Sequence, residues 1–184
     1  MRRNRTWTRW VAGLVVLGLM GALILTLTLS GGSTSATDGT TGTSVQVAGT
    51  PCTADTHSDP GRNHVANPTY VVNPPAGGDH MPVPAAAGLY VTDPPPDGQL
   101  VHSLEHGYVI IWFDPTTEVA DLQAIEQVAA QYPRDTLVVP RTAMSAPLVA
   151  TAWHHRLLCQ GFSSSALLNF IAQWRNLGPE RIPH

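Results

Sequence analysis

The chain has 184 residues, with ten arginines, no lysine and thirteen acidic residues, a length that suits one domain with appendages. Arg2, Arg3, Arg5 and Arg9 all fall in the first ten residues, so the rest of the chain sets six arginines against thirteen Asp and Glu. A domain this acidic lacks the basic face that nucleic acid or an anionic lipid surface requires, which excludes both as its partners.

Residues 11–30, "VAGLVVLGLMGALILTLTLS", carry no charge. As a helix they would be ~30 Å long, the thickness of a bilayer core. Trp7, Trp10 and the four arginines flank one end, which orients that end to the cytoplasm. The expectation is a basic cytoplasmic tail (1–10), a single transmembrane signal-anchor helix (11–30), a flexible Gly/Ser/Thr linker (31–50) and an extracytoplasmic domain (51–184) in the cell membrane. A cleaved signal peptide is the rival, although its apolar core usually runs only ~7–15 residues. Either way the domain ends up outside the cytoplasm.

In an oxidising compartment the two cysteines, Cys52 and Cys159, read first as a disulfide pinning the N-terminal arm to the body. Residues 51–100 are rich in Pro, Gly, Asp and Asn, as in "NPPAGGDHMPVPAAAG" and "TDPPPDGQ". Proline denies a sheet its N–H donors, so this arm should be mostly loop, with short strands near 69–72 and 88–91.

From residue 106 the pattern becomes regular. "GYVIIWF" fits a strand buried on both faces. Asp114-Pro115 offers an N-cap, and Val119, Leu122, Ile125 and Val128 recur at helical spacing, so 116–131 reads as an amphipathic helix. "TLVVP" and "PLVATAW" are two more strands. Ser163 caps a last helix, with Phe162 and Leu167 as its hydrophobic staple and Leu167, Phe170, Ile171 and Trp174 as its buried stripe. Gly178-Pro179 stops it. The fold class is α+β with a β-α-β-β-α core, the first two strands parallel and the third pairing back. Thioredoxin-like folds end in the same order, but no Cys-x-x-Cys is present.

The stretch "HSLEH" matches the H-x-x-E-H pattern of inverted zinc peptidases. That mechanism needs a long helix and a third ligand on another helix. Here "DPPPDGQL" precedes and a strand follows, leaving room for one helical turn at most, and neither Glu126 nor Glu180 has a suitable context. His102 and His106 nevertheless share a face in a helical turn or in a strand. His80 in "GGDHMP" supplies a third imidazole, with the Met81 thioether beside it and Glu105 as a carboxylate. Imidazole plus thioether suits copper, and imidazoles with a carboxylate also accept zinc. The competing reading has His102 and Glu105 hydrogen-bonding loop backbone to lock the arm onto the sheet. His154 and His155 point to opposite faces at a strand end and read as rim residues. His57, His64 and His184 have no supporting pattern. No nucleophile elbow, phosphate loop or dinucleotide fingerprint is present, so no residue is assigned as catalytic.

The segments "NPPAGGDH", "GLY", "LVHSLEHGYVIIWF", "ATAW" and "FIAQWRNLGPE", in this order, resemble domain-of-unknown-function family 3105 over about residues 65–180. The resemblance implies a bacterial, exported protein anchored by one N-terminal helix, and it places His80, His102, Glu105 and His106 at the motif positions. Two departures stand out. Gly78-Asp79 precede His80 where the family has Gly-Pro, and His154-His155 follow Trp153 where the family has glycine. The expected function is that of a membrane-anchored, extracytoplasmic metal-binding protein. It would use His80, His102 and His106, with Met81 or Glu105 as further ligands, and copper before zinc, for binding, delivery or sequestration. The alternatives are a non-catalytic cell-envelope interaction module with an unknown protein partner and, further off, a zinc hydrolase.

Overall fold

The computed structural model describes residues 51–182. In chain order the elements are β1 (Cys52–Asp55), β2 (Gly88–Leu89), α1 (Asp97–Glu105), β3 (Val109–Phe113), α2 (Val119–Ala129), β4 (Thr136–Pro140), β5 (Leu148–Ala152), β6 (His155–Cys159) and α3 (Ser164–Trp174). The strands form one mixed sheet in the order β1-β6-β5-β3-β4-β2.

The centre of the sheet is "VIIWF", whose five residues are all buried. Their β-branched and aromatic side chains suit a pleat covered on both faces, and their alternation divides the core. Val109, Ile111 and Phe113 pack with Ile125 and Val128 of α2 and with Leu167, Phe170 and Ile171 of α3. Ile110 and Trp112 pack the other way, with Leu100 and Leu104 of α1. Each fully buried side chain of this size contributes about 1.5–3 kcal/mol. The indole N–H of Trp112 donates to Thr151 Oγ1 at 2.8 Å, so the largest core residue leaves no buried donor unpaired.

Helix α2 connects β3 to β4, which run parallel with Val109 opposite Thr136, as the sequence pattern leads one to expect. β5 pairs antiparallel on the other side of β3. Ser163 is the N-cap of α3 and accepts from Ala166 N–H.

Several expectations need correction. The core is not β-α-β-β-α but three helices on a six-stranded mixed sheet. β6 forms a hairpin with β5 around Trp153-His154, and β1 adds to the far edge of β6. The arm was expected to carry a strand at 69–72; these residues form none, whereas Gly88–Leu89 do. Asp114 does not cap α2. Its carboxylate accepts from the backbone and hydroxyl of Thr116 in a tight local turn, and the helix starts after Glu118.

The largest correction concerns residues 97–105, expected to hold one helical turn at most and found as a nine-residue helix. The transmembrane helix expected at 11–30 and the linker at 31–50 lie outside the described residues, as does His184. None of the described helices is long and apolar enough to cross a membrane.

Candidate metal centre

The proline run that argued against a helix is what starts one. Pro96 is the N-cap of α1, and its carbonyl accepts from Gln99 and Leu100 N–H. A missing N–H costs nothing ahead of a helix, where no intrahelical acceptor exists for it. At the other end Gly107 N–H donates to Leu104 O and Tyr108 N–H to Ser103 O, the paired bonds of a Schellman motif. Gly107 supplies the left-handed conformation this needs, at φ +90°, and the backbone of Asn176 occupies the space a β-carbon would take. The nine residues and His106 are thus a capped helix between two breakers. Leu100 and Leu104 face the sheet, while His102 and Glu105 meet the arm and His106 approaches Glu180.

Two aspartates shape the arm. The Asp59 carboxylate accepts from Val71 and Val72 N–H at 2.8 and 3.1 Å. Asp79 accepts from the backbone and side chain of Asn63 at 2.8 and 2.9 Å, bonds that hold its carboxyl below the usual range. His80 N–H donates to Asn63 O and Val65 N–H to His80 O, a β-bridge that sets His64 beside His80.

The result is a cluster of imidazoles. Ring centroids lie 5.0 Å apart for His64 and His80, 4.8 Å for His64 and His102, 4.8 Å for His80 and His102, and 4.5 Å for His102 and His106. Glu105 reaches into it from α1, with Oε2 2.9 Å from His80 Nε2 and Oε1 2.7 Å from Arg62 Nε.

Hydrogen-bond accounting fixes what these rings offer. A carbonyl only accepts, so His80 Nδ1–H donates to Gly78 O at 2.9 Å and His102 Nδ1–H to Met81 O at 2.6 Å. In the neutral tautomer both Nε2 atoms then carry bare lone pairs. Burial pushes the His102 pKa down, more strongly than the Met81 carbonyl raises it, and positive charge on His106, His80 or His64 would push the same way. His80 Nε2 is wholly buried, and although it approaches Glu105 closely it has no aligned hydrogen-bond partner. A lone pair facing a carboxylate needs a cation between them, either a proton or a metal ion. His102 Nε2 and His106 Nε2 are 3.0 Å apart. Two nitrogens on one tetrahedral ion at ~2.0–2.1 Å lie about 3.3 Å apart, so small movements would accommodate an ion.

The ligand atoms fall into two overlapping groups, His64/His80/His102/Glu105 and His102/Glu105/His106/Glu180, each with its atoms within 4.8 Å of one another. The expected trio is therefore divided: His80 belongs to the first group, His106 to the second, and His102 with Glu105 to both. Met81 takes part through its carbonyl, while its sulfur lies against Gly98, where a β-carbon would be 3.1 Å away. His154 and His155 join neither group. His154 N–H donates to Ala76 O at the hairpin tip, and His155 stacks on Trp174.

Sequence reasoning passed over His64, Glu180 and Arg62. His64 enters through the bridge to His80, whose partner no local pattern names. Glu180 enters because its N–H donates to Glu105 O, placing its carboxylate 3.6 Å from His106 Nε2. Gly178 allows this approach, since a β-carbon there would overlap the Glu105 carbonyl. The one available signal was "NLGPE", a turn sequence directly after a helix.

A model of the family described as Protein of unknown function (DUF3105) matches residues 64–183. The chain belongs to the DUF3105 family. The DUF3105 match takes in both ligand groups, from His64 to Glu180, and leaves β1 with Cys52 ahead of it. No curated protein and no solved structure matches the chain.

Proposed function

We propose that this domain binds one transition-metal ion through His64, His80, His102 and Glu105, with His106 and Glu180 as an alternative outer pair. The observation that carries the reading is His80 Nε2, buried, without an aligned partner and 2.9 Å from a carboxylate oxygen. Three imidazoles and a carboxylate are a borderline donor set that suits copper(II) or zinc. Copper(II) takes precedence because it outranks zinc at any site of such ligands. The expected thioether contribution is dropped, since Met81 sulfur lies against Gly98. The Cys52–Cys159 disulfide supports an oxidising compartment, hence a location outside the cytoplasm. The role is binding, delivery or sequestration of the ion.

Metal analysis of protein purified without an affinity tag tests this. One equivalent of copper or zinc is expected, falling sharply in His102→Ala. No uptake by the wild type overturns the proposal.

A second reading has its own support. His80 to Glu105, Arg62 to Glu105 and His102 to the Met81 carbonyl together fasten the arm onto α1. If the cation beside Glu105 is only the proton of a charged His80, the domain is an envelope interaction module with a structural lock. Wild-type protein would then take up no ion, and His102→Ala would lower its melting temperature alone.

A further inference from the structure

Six arginines fall within the described residues, and four of them have carboxylate partners: Arg62 with Glu105, Arg141 with Asp97, Arg156 with Asp55 and Arg175 with Asp135. No ion pair among the described residues involves Arg134 or Arg181. Both line the same cleft, of about 730 Å³, together with Arg175, Tyr132, Asp135 and His106. In an acidic domain this gathers half of the arginines around one concavity, against a single carboxylate.

The cleft is built as well as charged. Arg175 lies with Cζ 5.0 Å from the Tyr132 ring centroid and donates from Nη1 to Asp135 Oδ2 at 2.9 Å, which fixes its guanidinium plane. Its Nε–H is buried and has no acceptor among the described residues. Asn176 N–H is bound to Gly107 O, which ties the wall of the cleft to the C-cap of α1. A held guanidinium and two exposed arginines without carboxylate partners among the described residues are a donor set for an oxyanion with several charges.

The geometry points to a second ligand site here, one that takes a small multivalent oxyanion of the phosphate or polycarboxylate class. Arg134 and Arg181 supply the attraction and Arg175 the fixed face. The cleft borders the outer ligand group at His106, but neither Arg134 nor Arg181 belongs to either group.

The full chain, stripped of metal with a chelator and dialysed, would be titrated calorimetrically with inorganic phosphate and separately with citrate, at low salt. Saturable binding of at least one probe is expected, weakening as salt rises. Arg134→Gln and Arg181→Gln should each cost on the order of tenfold in affinity. Both side chains are exposed, so the fold should survive; if the double variant melts early, the single variants decide. The inference is overturned if neither probe saturates or if the double variant binds unchanged.

Discussion

His102 and His106, one helical turn apart, bring their Nε2 atoms to 3.0 Å, while His102 Nδ1–H is committed to the Met81 carbonyl at 2.6 Å. The second contact decides which nitrogen of His102 faces His106. It fixes the tautomer, so the lone pair of His102 points into the cluster and not at the arm. Orientation of a ligating imidazole through its other nitrogen is the usual support for a metal-binding histidine.

Replacing His102 should therefore be among the most damaging single changes for metal uptake, since it and Glu105 are the two residues common to both ligand groups. His102→Ala is expected to weaken copper(II) binding by more than the roughly 10–100-fold that outer-shell losses cost. Met81→Leu should leave affinity within a few-fold, because only its carbonyl is used. Competition with a chromophoric chelator measures both, and a large loss in Met81→Leu would return the thioether to the ligand set.

Burial holds the His102 pKa below the ordinary 6.5, so the folded protein prefers the ring neutral. Its contribution to stability is fully present above the unfolded value and is lost as pH falls toward the folded one. The pKa values of His154 and His155 are lowered by burial as well and add to the same slope. Metal-free wild type should accordingly lose melting temperature as pH drops below about 6.5. The loss should be shallower in His102→Gln, read from thermal scans between pH 7 and pH 5. Parallel curves would show that His102 titrates freely.

Gly107→Ala puts a β-carbon at φ +90°, 2.8 Å from Asn176 Cα. Left-handed backbone alone costs about 1–2 kcal/mol, and the clash adds to it. Urea unfolding should register the sum, and metal affinity should fall too as His106 loses its seat. Gly161→Ala is the control, because open space surrounds that residue and its backbone needs no glycine. Equal effects at the two positions would refute the capping role.

The Cys52–Cys159 bond closes a loop across 107 positions of sequence. In the chain-entropy account a loop of ~100 residues is worth up to about 4.7 kcal/mol. Cys52→Ser with Cys159→Ser should lower stability by a large part of that, measured by denaturant unfolding with and without reductant. Reductant should change the wild type and leave the double variant as it was.

Where local pattern decides structure, the sequence was informative. β3, β4, β5 and α3 follow from runs of β-branched residues, a serine cap and a helical stripe, signals that lie within the elements themselves. α1 was missed because its prolines and glycine were weighed as breakers of a helix when they bound one. At the site, His102, Glu105 and His106 drew notice through the H-x-x-E-H spacing, since residues four apart share a face, whereas His80 stood out only as a histidine in a Gly- and Pro-rich loop. His64 and Glu180 did not, because a bridge and a backbone bond bring them in from separate loops. The Met81 thioether is a related case: adjacency to His80 in sequence says nothing about where the sulfur packs, which is against Gly98.

The edge of the sheet gives the disulfide a further consequence. β1 is a four-residue strand, mostly exposed, laid along β6 with Cys52 opposite Cys159. Without it, β6 would offer its unpaired amides and the run Leu157-Leu158 to any passing chain, a ready template for strand addition. By tying the outermost strand covalently in register, the bond guards against self-association, and reduction should be followed by aggregation before the rest of the domain unfolds.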